Sequence, residues 1–141
     1  MARVSRWTCP YCEREFGRHK QPHTCVPGGT VDASFAGRPS VQREIFAELM
    51  VHVNALGPVH VDAVGVGVFL KNDRKLAEIR PKARSLSLAL ILPDAIDHPR
   101  ISRTLRASAG RVVSVVKLVQ LTDVDDQVKA WLTDTYDAAT D

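Results

Sequence analysis

The chain has 141 residues, of which 45% are hydrophobic and 25% are charged, and its formal net charge is +3. These values are near the average for globular domains, so they exclude collagen-like, coiled-coil and wholly disordered proteins. The longest apolar stretches, at 64–70, 86–92 and 112–119, are well short of the roughly 20 residues that span a bilayer. No apolar segment of a secretory signal follows the basic N-terminal residues. We therefore expect a soluble, cytoplasmic protein with no membrane partner.

The cysteines are confined to the first 25 residues. The spacing Cys9-x2-Cys12 is typical of a metal-binding knuckle, in which a tight turn directs two thiolates at one ion. Cys25 follows, with His23 two positions before it. Three thiolates and one imidazole form a tetrahedral set that suits Zn²⁺. His23 is the preferred fourth ligand because His23-x-Cys25 can close on the ion as a facing pair, and His19 is the alternative.

Four protein ligands leave no open position for water or substrate, so the predicted zinc is structural and residues 1–26 form a zinc knuckle. A redox-active Cys9/Cys12 dithiol is the alternative, but the strand–helix–strand context of such a motif is missing here. A DNA-reading finger would need a helix over 17–24, where Pro22 opposes it.

Residues 27–39 are predicted to be a linker because they are rich in turn formers and poor in apolar periodicity. Phe35 is the residue expected to anchor this linker to the main domain, which covers 40–141. Apolar residues at helical spacing predict a helix over 40–56, and the Gly57-Pro58 pair ends it.

Apolar alternation with a period of two predicts strands in the middle of the chain. These strands cover 64–70, 75–80, 86–92, 101–108 and 111–119. In the first, Val64 to Leu70 would place alternate residues on one face, with Gly65 and Gly67 opposite, where small residues allow close approach of another backbone. A final helix is predicted over 123–138. The expected fold class is α+β, with a mainly antiparallel sheet and two helices on its leucine-rich face.

Charge is segregated along the sequence. Residues 71–84 contain six basic and two acidic residues, and 100–122 contain five basic residues and no acid. Residues 123–141 contain six Asp and a single Lys. The basic side of the sheet is therefore predicted to bind an anionic partner, with nucleic acid or another polyanion as the leading candidate, through charge-assisted contacts. The predicted anion-binding residues are Arg80, Lys82, Arg84, Arg103 and Arg106.

Two other functional classes remain open. A structural or protein-interaction domain would self-associate as a homodimer, or bind another protein, through the acidic C-terminal helix. An enzyme would need an acid/base pair, for which Asp94, Asp97 and His98 in one loop are the candidates. Because prolines flank this loop, the same residues are typical of turn formers, and a non-enzymatic module is expected.

Several motifs occur in a fixed order along nearly the whole chain. They are Trp7-x-Cys9-Pro10-x-Cys12-x-Arg14-x-Phe16, His23-x-Cys25, Leu56-Gly57-Pro58-Val59, Ile79-Arg80-Pro81-Lys82, Pro99-Arg100, Asp123-Val124-Asp125-Asp126, Trp131-Leu132 and Tyr136. The set resembles a bacterial family of domains of unknown function. The resemblance implies a zinc knuckle joined to a small α+β domain. It implies no enzymatic reaction, because none is established for that family. It also implies that a histidine often stands at the position of Ser114, so if that histidine has a chemical role in the family, this chain lacks it.

The metal content of the purified chain tests the predicted zinc site. Four protein ligands bind zinc tightly, so we expect about one equivalent of zinc per chain after dialysis, and a value below about half an equivalent would contradict the site. The variant His23→Ala should lose most of the metal. His19→Ala is the matched control and should retain it, and the reverse result would assign His19 as the ligand.

Overall fold

The computed structural model describes residues 7–8, 15–16, 30–64 and 67–140. The helices of this part of the chain are α1 (Val31–Ser34), α2 (Ser40–Leu56) and α3 (Asp126–Ala138), with a 3-10 turn at Leu121–Asp123. The strands are β1 (Trp7–Thr8), β2 (Glu15–Phe16), β3 (His60–Val64), β4 (Gly67–Lys71), β5 (Lys75–Pro81), β6 (Leu86–Leu92), β7 (Ile101–Ser108) and β8 (Arg111–Leu118).

Six of the described strands form one sheet in the order β3-β4-β5-β6-β8-β7, and every neighbouring pair is antiparallel. The prediction of an α+β fold with a mainly antiparallel sheet is therefore confirmed. The strands β1 and β2 pair with each other separately, with Trp7 opposite Phe16. None of the helices in the described residues is long and apolar enough to cross a membrane.

The region predicted as one strand over 64–70 is two strands, and that prediction is wrong. Val64 of β3 pairs directly with Gly67 of β4, so the chain reverses between them and the two strands form a hairpin. Val64 therefore lies on the opposite face from Val68, since paired residues share a face. The valine spacing suggested continuous alternation, whereas the glycines in the same run are turn formers. Gly67 allows close backbone approach, because a Cβ atom there would lie 2.5 Å from the carbonyl oxygen of Ile79.

The hydrophobic core lies between one face of this sheet and the helices. Leu88 and Leu90 of β6 are fully buried, and so are Leu49 of α2 and Leu132 of α3. The helix α3 lies against β5 and β6, and α2 packs beside α3. Both long helices therefore cover the leucine-rich face, as the alternation of β6 requires when only one side of a sheet is buried.

The second half of the predicted linker is attached to the domain. Thr30 caps α1, since its hydroxyl oxygen accepts a hydrogen bond of 3.1 Å from the backbone N–H of Ala33. Phe35 is buried, and its ring centroid lies 5.3 Å from that of Phe46 in α2. The Arg43 side chain lies over both rings. The predicted anchor at Phe35 thus packs into the core.

The helix α3 begins at Asp126, three residues later than predicted, because 121–123 form the 3-10 turn. Asp125 is the cap, and its carboxylate accepts a hydrogen bond of 3.1 Å from the backbone N–H of Val128. Arg100 donates to both oxygens of the same carboxylate at 2.9 and 2.8 Å. The hydrogen bond from Val128 and the charge of Arg100 lower the pKa of Asp125. The carboxylate therefore stays ionised and connects the loop after β6 to the start of α3.

Two leucine substitutions test which face of the sheet forms the core. Leu88 is fully buried, so Leu88→Ala should lower the free energy of unfolding by about 2–5 kcal/mol. Leu105 of β7 is 43% exposed, and Leu105→Ala is the matched control with an expected loss below about 1 kcal/mol. Urea denaturation measures both values, and equal losses would contradict the assignment of the faces.

Candidate anion-binding site

A shallow hollow of about 390 Å³ lies on the side of the sheet opposite the helices. Its walls come from β5, β6, β7 and β8, and the register of these strands fixes which side chains meet there. Arg80 pairs with Ser87, and Ser87 pairs with Lys117, so the three residues form one row across the sheet. In the next row, Arg103 pairs with Val115. Since neighbouring strands are about 5 Å apart, the backbone of Lys117 lies about 10 Å from that of Arg80 across the strands, and Arg103 lies one strand farther, at about 15 Å.

Arg80 is neutralised by Glu78, which lies two residues before it on the same face of β5. The Arg80 Nη2 atom is 3.0 Å from Glu78 Oε2, and Lys75 Nζ donates to the other carboxylate oxygen. Burial raises the pKa of Glu78, but the hydrogen bonds and charges of Lys75 and Arg80 outweigh it, so the net pKa lies below the ordinary value of 4.5. Glu78 is therefore ionised at neutral pH and compensates part of the basic charge.

Three other cations of the hollow have no such compensation. Lys82, Arg103 and Lys117 are exposed and line the hollow, and no acidic side chain of the described residues pairs with them. Lys117 was not among the predicted site residues. It could have been found from the sequence, because it is the single lysine in a valine-rich strand. Strand alternation places it on the opposite side from Val116 and Leu118, which are buried.

A buried glutamine of α2 fixes the turn that carries Lys82. Gln42 is 1% exposed, and its Nε2 atom donates a hydrogen bond of 2.7 Å to the carbonyl oxygen of Lys82. The backbone N–H of Lys82 donates to the carbonyl oxygen of Ser85 at 2.9 Å, which closes the turn between β5 and β6. The turn is thus held from the core, and the Lys82 side chain extends from a fixed backbone.

The floor of the hollow is aliphatic. It consists of Ala89, Val113, Val115 and Leu105, and no aromatic side chain of the described residues lines it. Phe69 lies on β4, and the ammonium group of Lys75 covers its ring at 4.1 Å from the centroid. Stacking of unpaired bases requires free aromatic faces, so this surface suits contact with phosphates rather than with bases.

The five predicted anion-binding residues do not all converge. Arg80, Lys82 and Arg103 line the hollow. Arg84 is exposed on the turn between β5 and β6, outside the lining of the hollow. Arg106 lines a separate hollow of about 430 Å³ on the helix side of the sheet, together with Asp94. Arg106 pairs with Val112, which faces the core, so alternation in β7 separates Arg106 from Arg103.

The predicted zinc ligands Cys9, Cys12, His23 and Cys25, like the alternative ligand His19, lie outside the described residues. Within the ranges 30–64 and 67–140, no cluster of three or more His, Cys, Asp or Glu side chains has the arrangement of a metal site. The zinc knuckle thus stays a prediction.

The candidate acid/base residues lie in the loop between β6 and β7. The ring of His98 packs edge-on against Trp131 of α3, with centroids 5.0 Å apart, and its Nδ1 atom accepts a hydrogen bond of 3.1 Å from the backbone N–H of Arg100. Asp94 and Asp97 are exposed. Ser114 is fully buried near this loop, and its Oγ atom accepts a hydrogen bond of 3.4 Å from the backbone N–H of Ile96. These contacts connect the loop to the core.

The fold and this surface define a small α+β domain with a sheet that is covered on one side and basic on the other. Residues 31–139 match the model of a family described as a domain of unknown function, DUF5655, and the chain belongs to this family. The predicted membership in a family of domains of unknown function is thus confirmed. The matched region begins at α1, ahead of the boundary at 40 that the sequence predicted. Neither the curated proteins nor the solved structures gave a match.

The pH dependence of stability tests the ion pairs of Glu78. Because its pKa is lowered in the folded chain, these pairs stabilise the fold above the ordinary pKa of 4.5 and lose their effect as the pH falls through the lowered value. The variant Glu78→Gln should therefore lower the free energy of unfolding by about 1 kcal/mol at neutral pH.

At acidic pH the variant and the parent should converge, because Glu78 is then protonated in both folded and unfolded chains. Urea denaturation between about pH 3 and pH 7 measures the difference. Glu44→Gln on the exposed side of α2 is the matched control. A difference between Glu78→Gln and the parent that does not change with pH would contradict the role of the ionised carboxylate.

Proposed function

We propose that the chain is a non-enzymatic binding module whose basic sheet side recognises an anionic partner, with the nucleic-acid backbone as the leading candidate. The observation that carries this proposal is the group of three exposed cations, Lys82, Arg103 and Lys117, which line one hollow without an acidic partner in the described residues. Uncompensated cations on a fixed surface attract anions strongly at low salt.

The geometry supports phosphates as the groups that bind. Ser85, Ser87 and Ser102 line the same hollow as the cations, and hydroxyl groups donate hydrogen bonds to phosphate oxygens. The Ser102 hydroxyl donates its proton at 3.1 Å to the carbonyl oxygen of Val115, so Ser85 and Ser87 are the hydroxyl donors of the hollow that remain for a phosphate. The absence of a free aromatic face in this hollow, among the described residues, favours contact with the backbone over stacking on bases.

The zinc knuckle is part of this proposal as a structural unit. The paired strands β1 and β2 bring residues 8 and 15 opposite each other, and the six residues between them include Cys9 and Cys12. The spacing of these two cysteines supports a shared ion. A thiolate-bound zinc requires reduced cysteines, in keeping with a cytoplasmic location.

Self-association is the second candidate, and one observation favours it. Asp126, Asp134 and Asp137 of α3 are exposed, whereas α3 packs on the side of the sheet opposite the basic hollow. The acidic helix and the basic hollow therefore face away from each other within one molecule. They can neutralise each other only when the helix of one copy meets the hollow of another, in a head-to-tail contact, and another basic protein is the alternative partner of the helix.

A titration with labelled nucleic acid tests the proposed function. Fluorescence anisotropy with duplex DNA, single-stranded DNA and RNA should show binding that weakens linearly in a plot of log affinity against log salt. The variant Arg103→Gln should reduce the slope of that plot by about 1, because one phosphate contact is lost. Arg38→Gln removes the same charge from an exposed position beside α1 and is the matched control.

Two outcomes would contradict the proposal. The first is a lack of binding to every nucleic acid at low salt, where phosphate contacts are strongest. The second is an equal change in affinity and salt slope for Arg103→Gln and Arg38→Gln. That result would mean that binding depends on the net charge of the chain and not on the hollow. Concentration-dependent association in analytical ultracentrifugation, abolished by Asp134→Asn and Asp137→Asn together, would then favour self-association through α3.

A further inference from the structure

The strand β7 lies at the edge of the sheet and is bare on both sides. In the described part of the chain its only neighbour is β8, and every residue from Ser102 to Ser108 is exposed. The helices do not extend over it, since α3 lies against β5 and β6. The edge therefore presents its two rows of side chains and its outward backbone groups to solvent.

The two rows carry arginine on opposite sides of the sheet. Arg103 and Leu105 lie on the side of the basic hollow, together with Val113. Thr104 and Arg106 lie on the helix side, where they line the second hollow. A partner resting on the flat basic side can contact Arg103 but not Arg106, whereas a partner that receives the edge itself contacts both.

The groove dimensions of nucleic acids decide which partner can receive this edge. A sheet with side chains on both faces is about 10 Å thick, and the major groove of B-form DNA is about 12 Å wide and admits β structure, whereas its minor groove is only about 6 Å wide. The major groove of A-form RNA is deep and narrow, so side chains do not enter it.

We infer that the β7 edge inserts into the major groove of B-form duplex DNA, with Arg103 and Arg106 on the phosphates of the two groove walls. The chemistry of the edge agrees with this partner, since Thr104 and Ser108 add hydroxyl donors and no acidic residue occurs between 100 and 122. This inference rests on the proposed function and names the nucleic acid and the binding mode.

A comparison of duplexes tests the inference. Fluorescence anisotropy should show at least about tenfold tighter binding to a duplex DNA than to a duplex RNA of the same sequence. Arg106→Gln should weaken binding to duplex DNA about as much as Arg103→Gln, by roughly three- to tenfold each at moderate salt. Arg38→Gln is again the control, and thermal unfolding verifies that all three variants fold.

The outcomes separate this inference from the proposed function. If no nucleic acid binds, both fail. If duplex DNA binds but Arg106→Gln has no effect, or if duplex RNA binds equally well, the flat side is the contact surface and the insertion of the edge is wrong. If Arg106→Gln makes the chain self-associate and leaves DNA affinity unchanged, the arginines only protect the edge, and the inference is also wrong.

Discussion

Helices cover one side of the six-stranded sheet in the described part of the chain, and the positions of the charged side chains follow from this packing. The residues of β5, β6 and β8 that face the helices are uncharged, and apart from Ser114 they are apolar, because Leu88, Leu90 and their neighbours form a buried layer there. Charge is then restricted to the alternate positions and collects on the other side. A recognition surface thus arises from the same alternation that builds the core, without an additional element.

Some basic side chains on that side are paired with a carboxylate of the same molecule, and others are unpaired and available to a partner. Lys75, Glu78 and Arg80 form a local network in which the carboxylate stays ionised and holds both cations. The network lies within β5, and its single carboxylate reduces the two positive charges to a net charge of +1. Lys82, Arg103 and Lys117 stand outside it. Counting basic residues along the sequence therefore overestimates the charge that a ligand experiences, because ion pairing within the molecule uses part of it.

The sequence predicted most of the elements, since long periodic segments carry a strong signal. The helix over 40–56 and the strands over 86–92 and 101–108 agree with the structure. The hairpin at 60–71 and the separation of Arg106 from Arg103 were not predicted. The hairpin depends on a reversal of the chain between Val64 and Gly67, which the regular valine spacing concealed. The separation of Arg106 from Arg103 follows from alternation in β7, since residues three positions apart take opposite sides of a strand. A count of charges along the sequence grouped the two arginines because it did not include this alternation.

The arginines of β7 bear on both candidate functions at once. An unpaired edge strand tends to pair with a strand of another molecule, and charged side chains oppose this. Arg103 and Arg106 place one positive charge on each side of the edge, so two copies of β7 would repel each other if they met edge to edge. A polyanion experiences the opposite force from the same two residues. Self-association through β7 and binding of DNA at β7 are thus mutually exclusive. Association of the acidic helix α3 with the basic hollow of another copy would also cover Arg103, which lines that hollow.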